Sequence, residues 1–441
     1  MDSFLDRFAE IMYLLYSVIF TLGILFYLPS LLWRSLRRGK EMGDWRERLG
    51  CLSPVRGGPV IWVHCVSVGE TRAAQPLIRA LRQRYPDHAI VISTITPTGQ
   101  RLARALFQKE AAAVFYFPFD WAFSVRRALR TIAPRLVIIM ETELWPRFLR
   151  ECRRRGIPTA LVNGRLSGRS FKRYMRARFL FRRVANDLAL AIMQTESDAA
   201  RIRAIGLPRA RVRVSGNLKF DLESHGDASP LAQELDSRFA LSATDLIIAA
   251  STHDPEERIA LEAFKMVRQQ MRRLRLILAP RHPERGGEIA ALLEGSGFSW
   301  TRRTLPPADK DRDVDCILLD TIGELQALYP FATIVFVGGS IAPIGGHNIL
   351  EPAAVGRCIV IGPHTFNFQA IVRAFVAEGA ILQLPIVADA QMSVELARTF
   401  IALLTDDLRR QQIGARAQAL FARNRGATER TIDALEPLLS G

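Results

Sequence analysis

The chain of 441 residues is 49% apolar and 24% charged, a globular composition with room for two large cores. Its formal charge of +16 calls for an acidic partner, and nucleic acid, anionic lipid and a phosphorylated substrate all meet that need. Five scattered cysteines without a C-x-x-C pair exclude a disulfide framework and a zinc site, and read as reduced thiols of a cytosolic compartment.

The first predicted element is "IMYLLYSVIFTLGILFYLPSLL", residues 11 to 32, which holds 22 residues without a charge. About 20 apolar residues cross a bilayer as helix, so the segment reads as a membrane anchor, spanning or deeply inserted. Arg34, Arg37, Arg38 and Lys40 follow it, whereas Asp2, Asp6, Arg7 and Glu10 precede it. The basic side stays in the cytoplasm, which puts the rest of the chain there. An acidic start and the sequence "PSLLWRSLRR" do not fit a cleaved signal peptide.

Short apolar runs then alternate with helix-like stretches. The first series covers 60–68, 89–96, 113–120, 135–143, 158–165, 188–195 and 212–218. The second covers 245–252, 274–282, 316–320, 333–340 and 358–365. Continuous β-rich runs separated by helices predict parallel sheets covered on both faces. Between the series, "KFDLESHGDASPLAQEL" is polar and unpatterned and reads as an interdomain hinge. The expected domains are an anchor at 1–42, a first α/β domain at 43–218 and a second at 219–441, whose last helix packs back on the first. Two doubly wound domains facing each other would bring the carboxyl ends of both sheets to one cleft.

The unusual polar residues fall at those strand ends. "HCVSVGETRAAQPLIRAL" turns at Gly69 and starts a helix with Glu70 in its first turn, either a helix-dipole partner or a general base. Pro76 should kink that helix. In "IIMETELWPRF", Glu141 and Glu143 share a side if the strand continues, as salt-bridge partners of nearby arginines or as groups that orient a cation or sugar hydroxyl. Lys219 in "SGNLKFD" is a surface lysine or a cation that reaches an anion.

In the second series, Arg281 and His282 of "LAPRHPER" leave their strand together, as a phosphate grip would. "DTIGELQALY" repeats strand, turn and helix, so Gly323 and Glu324 either cap a helix or present backbone N–H groups and a carboxylate to a nucleotide. "TIVFVGGS" runs into "GGHNILEPAAVG", where glycines permit close approach of a ligand and Asn348 and Glu351 share one face of a first helical turn. His347 is uncommitted between a structural and a binding part.

Residues 165–183, "RLSGRSFKRYMRARFLFRR", interleave arginines with Phe171, Tyr174, Phe179 and Phe181, a membrane-surface or nucleic-acid patch if not a solvated face. The anchor favours the membrane. No H-E-x-x-H, no paired histidine spacing and no Walker loop is present, so no metal ligands are expected.

Taken together, "HCVSVGE", "TPTG", "METELWP", "GNLKFD", "PRHPER", "DTIGEL", "GGSIAPIGGHNILEPAA" and "GPHTFNF" resemble the 3-deoxy-D-manno-octulosonic acid (Kdo) transferases of Gram-negative bacteria, in that family's order over residues 60–368. Cys65 stands where the family pattern leads one to expect Ser or another small residue, and "IAPIGG" is a variable loop. The resemblance implies a GT-B glycosyltransferase of two facing Rossmann-like domains with an N-terminal membrane-anchor helix. It would sit on the cytoplasmic side of the inner membrane. It would move Kdo from CMP-Kdo to the lipid A precursor (lipid IVA) with inversion, and without a metal or other cofactor. Carried over by motif, Glu70 is the general base, and Glu141 and Lys219 stabilise the transition state. CMP falls to Arg281, His282, the turn Ile322, Gly323, Glu324 and the turn Asn348, Ile349, Leu350, Glu351. The partners implied are CMP-Kdo, the lipid A precursor and anionic inner-membrane lipids, with no nucleic acid. Two other readings stay open: another sugar-nucleotide transferase or epimerase of the same architecture, and a membrane-tethered nucleic-acid-binding module.

Overall fold

Runs of Val, Ile and Leu that can be buried on both sides form the centre of each of two parallel sheets. The computed structural model describes residues 12–26, 44–221 and 229–440. The chain divides into two units, Met1–Leu222 with Asn424–Gly441, and Glu223–Arg423.

The strands of the first unit are β1 (Val60–Cys65), β2 (Ala89–Thr94), β3 (Ala113–Tyr116), β4 (Pro134–Met140), β5 (Thr159–Gly164), β6 (Leu190–Met193) and β7 (Val212–Val214). They lie in the order β3-β2-β1-β4-β5-β6-β7, so the direction of winding reverses between β1 and β4. Every pairing is parallel. β1 shows why the sheet needs helices on both faces: Val60 and Trp62 enter one core, while Ile61, Val63 and Cys65 enter the other. The second core is closed by the C-terminal helix Ala427–Ser440 through Ala427, Ile432, Leu435 and Leu439. Asp221 fastens that helix by accepting the N–H groups of Gly426 at 2.7 Å and Thr428 at 2.5 Å.

The second unit holds β8 (Asp245–Thr252), β9 (Leu274–Pro280), β10 (Trp300–Arg302), β11 (Cys316–Leu318), β12 (Ile334–Val337), β13 (Cys358–Ile361) and β14 (Leu382–Gln383). Their order is β10-β11-β9-β8-β12-β13-β14, which reverses between β8 and β12. These are doubly wound α/β units, as expected. β8 spans the predicted run, whereas most others stop two to four residues early, where polar residues and glycines begin the turns. The expected hinge is more structured than its composition implies. Leu218–Asp221 forms a 3-10 turn and Pro230–Phe239 a helix capped by Ser229, whose Oγ accepts the Ala232 N–H. Residues 222–228 lie outside the described residues.

The predicted anchor falls partly outside the described residues, at 11 and 27–32. Residues 12–26 are helical, and among the described residues no helix is long and apolar enough to cross a membrane. One side of this helix is fastened to the first unit. Tyr13 donates to Asp187 at 2.6 Å, Trp121 Nε1 donates to Thr21, and Phe20 packs edge-on against Trp121 and Trp145. Leu14, Leu15, Val18, Ile19, Leu22, Leu25 and Phe26 face outward, Phe26 89% exposed. The basic segment 165–183 forms the helix Gly168–Arg176 and begins the helix Arg178–Asn186; Phe171, Tyr174 and Phe181 pack on the core and Phe179 stays exposed.

Candidate active site

In a doubly wound sheet the loops on either side of the reversal diverge and leave a crevice at the carboxyl ends of the strands. In the first unit those loops follow β1 and β4 and carry Glu70 and Glu141. Ser67 caps the helix Val68–Ala73, and its Oγ accepts the Glu70 N–H at 3.4 Å. Glu70 reaches back past the cap to accept the Val66 N–H at 2.7 Å, and Ser67 Oγ donates to its other oxygen at 3.2 Å. The helix ends at Ala73, and a new one starts at Gln75 with Pro76 in its first turn, a break where a kink was expected.

Glu141 leaves β4 with φ 57°, so the strand does not continue and Glu141 and Glu143 are not an extended pair. The left-handed turn nonetheless brings carboxylates together. Burial pushes the Glu70 carboxyl up to about 8, reinforced by the charges of Glu141 and Glu143 and opposed by the Val66 and Ser67 hydrogen bonds. Glu143 is raised by burial and by Glu141. Lys219 Nζ stands 3.7 Å from Glu141 Oε1. Its turn is held by Asn163, which has φ 55° at the end of β5 and accepts the Leu218 N–H at 3.1 Å. Lys219 thus belongs to the first unit rather than to a hinge. His64 is buried at the end of β1 against Ser93 and Phe117, and burial lowers it to about 3, so it stays neutral.

In the second unit the reversal lies between β8 and β12, and one carboxylate joins their loops. Glu256 is fully buried at the start of the helix Glu256–Arg268. Its Oε2 accepts the N–H groups of His253 at 2.9 Å and Gly339 at 2.7 Å. Its Oε1 accepts those of Ser340 at 2.9 Å, Ile341 at 2.8 Å and Ala342 at 3.1 Å. Gly338 has no room for a side chain, since a Cβ there would stand 2.7 Å from the Ser251 oxygen and 2.8 Å from Glu256. Sequence reasoning missed Glu256, although "STHDPEE" repeats the strand, turn and glutamate signal that singled out Glu70.

The residues expected to hold a nucleotide follow strands of the same sheet. Arg281 and His282 follow β9 and are exposed, with the Arg281 N–H bonded to the Thr252 oxygen at 2.9 Å. The His282 ring lies edge-on to His253, centroids 5.4 Å apart, and His253 Nε2 meets His347 Nε2 at 2.8 Å. Ile322 is exposed and Gly323 has φ 90°, so that turn offers backbone outward. Glu324 is engaged internally: Arg303 donates to both its oxygens at 2.9 and 3.0 Å and Thr321 to one at 2.6 Å. Asn348 donates to Glu351 at 2.8 Å, while Ile349 and Leu350 are buried and have only backbone to offer a ligand. The structure therefore gathers Glu70, Glu141 and Lys219 in one unit, and Arg281 and His282 with the His253–His347 pair in the other.

Residues 43–222 match the family described as 3-Deoxy-D-manno-octulosonic-acid transferase (kdotransferase). The chain is 36% identical to the 3-deoxy-D-manno-octulosonic acid transferase of Haemophilus influenzae over 86% of this chain and 87% of that protein. It is also 36% identical to the Bordetella pertussis protein of the same name, over 92% and 95%. Among solved structures, UDP-GlcNAc 2-epimerase from Neisseria meningitidis shares the fold at TM-score 0.55 with 12% identity, over 86% of this chain and 100% of that one.

Proposed function

The chain belongs to the 3-deoxy-D-manno-octulosonic acid transferase family, a family of glycosyltransferases, and from that premise we propose that it moves Kdo from CMP-Kdo to a hydroxyl of the acylated disaccharide lipid IVA. Glu70 takes the proton of the acceptor hydroxyl as that oxygen bonds to the anomeric carbon of Kdo. The bond from that carbon to the CMP phosphate breaks, CMP leaves with the electron pair, and attack opposite the leaving group inverts the centre.

The Glu70 carboxyl supports this reading most directly. A base that works near neutral pH needs a pKa near the working pH, and burial beside Glu141 and Glu143 brings Glu70 to about 8. Glu141 and Lys219 stabilise the transition state as a pair of opposite charges, the carboxylate toward oxocarbenium character and the ammonium toward developing anionic charge. Arg281 and His282 hold CMP together with the backbone of the Ile322–Gly323–Glu324 and Asn348–Glu351 turns. No metal takes part in this scheme.

The enzyme works at the cytoplasmic face of the inner membrane. The outward apolar side of helix 12–26 and the basic helices after β5 support contact with hydrocarbon and anionic head groups. The test is incubation of the purified chain with CMP-Kdo and tetraacylated lipid A precursor, read by mass spectrometry. A product heavier by one or more Kdo residues is expected, and an unchanged acceptor under conditions where a known Kdo transferase works would remove the proposal.

A further inference from the structure

Two ring nitrogens 2.8 Å apart must share a proton, because one imidazole has to donate and the other accept. His253 and His347 are so placed in the second unit, from loops on either side of the sheet reversal. The pair is built rather than incidental. The His253 and Gly339 N–H groups converge on the same oxygen of Glu256. Gly339 has φ 65° and a Cβ there would stand 2.8 Å from the His347 ring. The two rings lie nearly parallel, 11° between their planes.

Two arginines, one glutamate and a third histidine face the pair. His282 and Arg281 follow β9, Arg285 lies in the next turn, and Glu257 stands on the helix that begins with Glu256. Arg285 engages Glu257 at 2.7 and 3.3 Å, which leaves less of its negative charge for His253. Burial first, then His282 and the two arginines, hold His253 below the usual imidazole range. The short Nε2–Nε2 contact holds one proton between the two rings, and the neighbouring arginines oppose a second. A phosphate set against exposed Arg281 and His282 reverses the local field.

We propose that His253 and His347 form a proton-sharing pair that takes up one proton when a nucleotide phosphate binds beside Arg281 and His282, and then holds that phosphate as an imidazolium donor. This rests on the reading that Arg281 and His282 grip CMP. In the forward reaction the pair charges as the phosphate arrives and discharges as CMP leaves, so nucleotide release carries a proton away.

Titration calorimetry of CMP into the full chain at pH 7.5, repeated in buffers of different ionisation enthalpy, tests it. The expected slope for wild type is about one proton taken up per CMP. Cytidine, which lacks the phosphate, should give a slope of about zero. His253→Gln and His347→Gln should each abolish the uptake and weaken CMP binding about tenfold, with thermal midpoints confirming folded protein. Binding of CMP to wild type with no proton uptake, or uptake that persists in both variants, overturns the proposal while leaving CMP recognition intact. Failure of wild type to bind CMP at all overturns the CMP reading itself, and this inference with it.

Discussion

Lys219 Nζ lies 3.7 Å from Glu141 Oε1, although one residue ends the seventh strand's loop and the other leaves the fourth strand. Both side chains are partly shielded from water, so the pair is worth more than a surface ion pair and less than a buried one. In a double-mutant cycle, Lys219→Ala and Glu141→Ala should each lower kcat about 100-fold or more with little change in CMP affinity. Their losses should combine less than additively, since each single change already removes the pair.

Glu141 also raises Glu70, second only to burial. The acidic limb of kcat/KM against pH should therefore rise toward a plateau above about pH 8 in wild type. Glu141→Gln removes a neighbouring negative charge and shifts that limb to lower pH, whatever it does to the maximal rate. A limb that stays in place would separate Glu141 from the base.

The raised pKa of Glu70 has a stability consequence of definite sign. The folded state binds the proton more tightly than the unfolded chain, whose carboxyl titrates near 4.5, so folding loses stability as pH rises from there through about 8. Glu70→Gln removes that loss. Its thermal midpoint should exceed wild type at pH 9, and the gap should close toward pH 5.

Much of the fold is legible because a strand buried on both faces shows as a continuous apolar run, as in β8 and β9. β10 and β14 escape notice because three and two residues carry no pattern. Glu70 is legible because its helix cap is local, Ser67 and Glu70 lying three residues apart. Glu256 is opaque in sequence because four of its five N–H donors come from a loop 83 to 86 residues away. His253 and His347 stand 94 residues apart, so only the sheet order brings them together. The left-handed turn at Glu141 was equally hidden, because non-glycine residues seldom adopt it.

Glu256 predicts a structural phenotype. Gln at this position retains one acceptor oxygen and turns an amide N–H₂ toward backbone donors, which should destabilise the second unit by about 3 kcal/mol in denaturant unfolding. Gly339→Ala should leave the protein folded but press on the His347 ring, lowering CMP affinity by about tenfold in equilibrium binding.

Turnover by Glu70→Gln, measured beside its affinity for CMP, tests the central claim most directly. Loss of about 10²- to 10⁴-fold in product formation, with CMP binding unchanged, is the predicted result. Glu70→Gln transferring Kdo at the wild-type rate, or failing only because it no longer binds CMP, would contradict it.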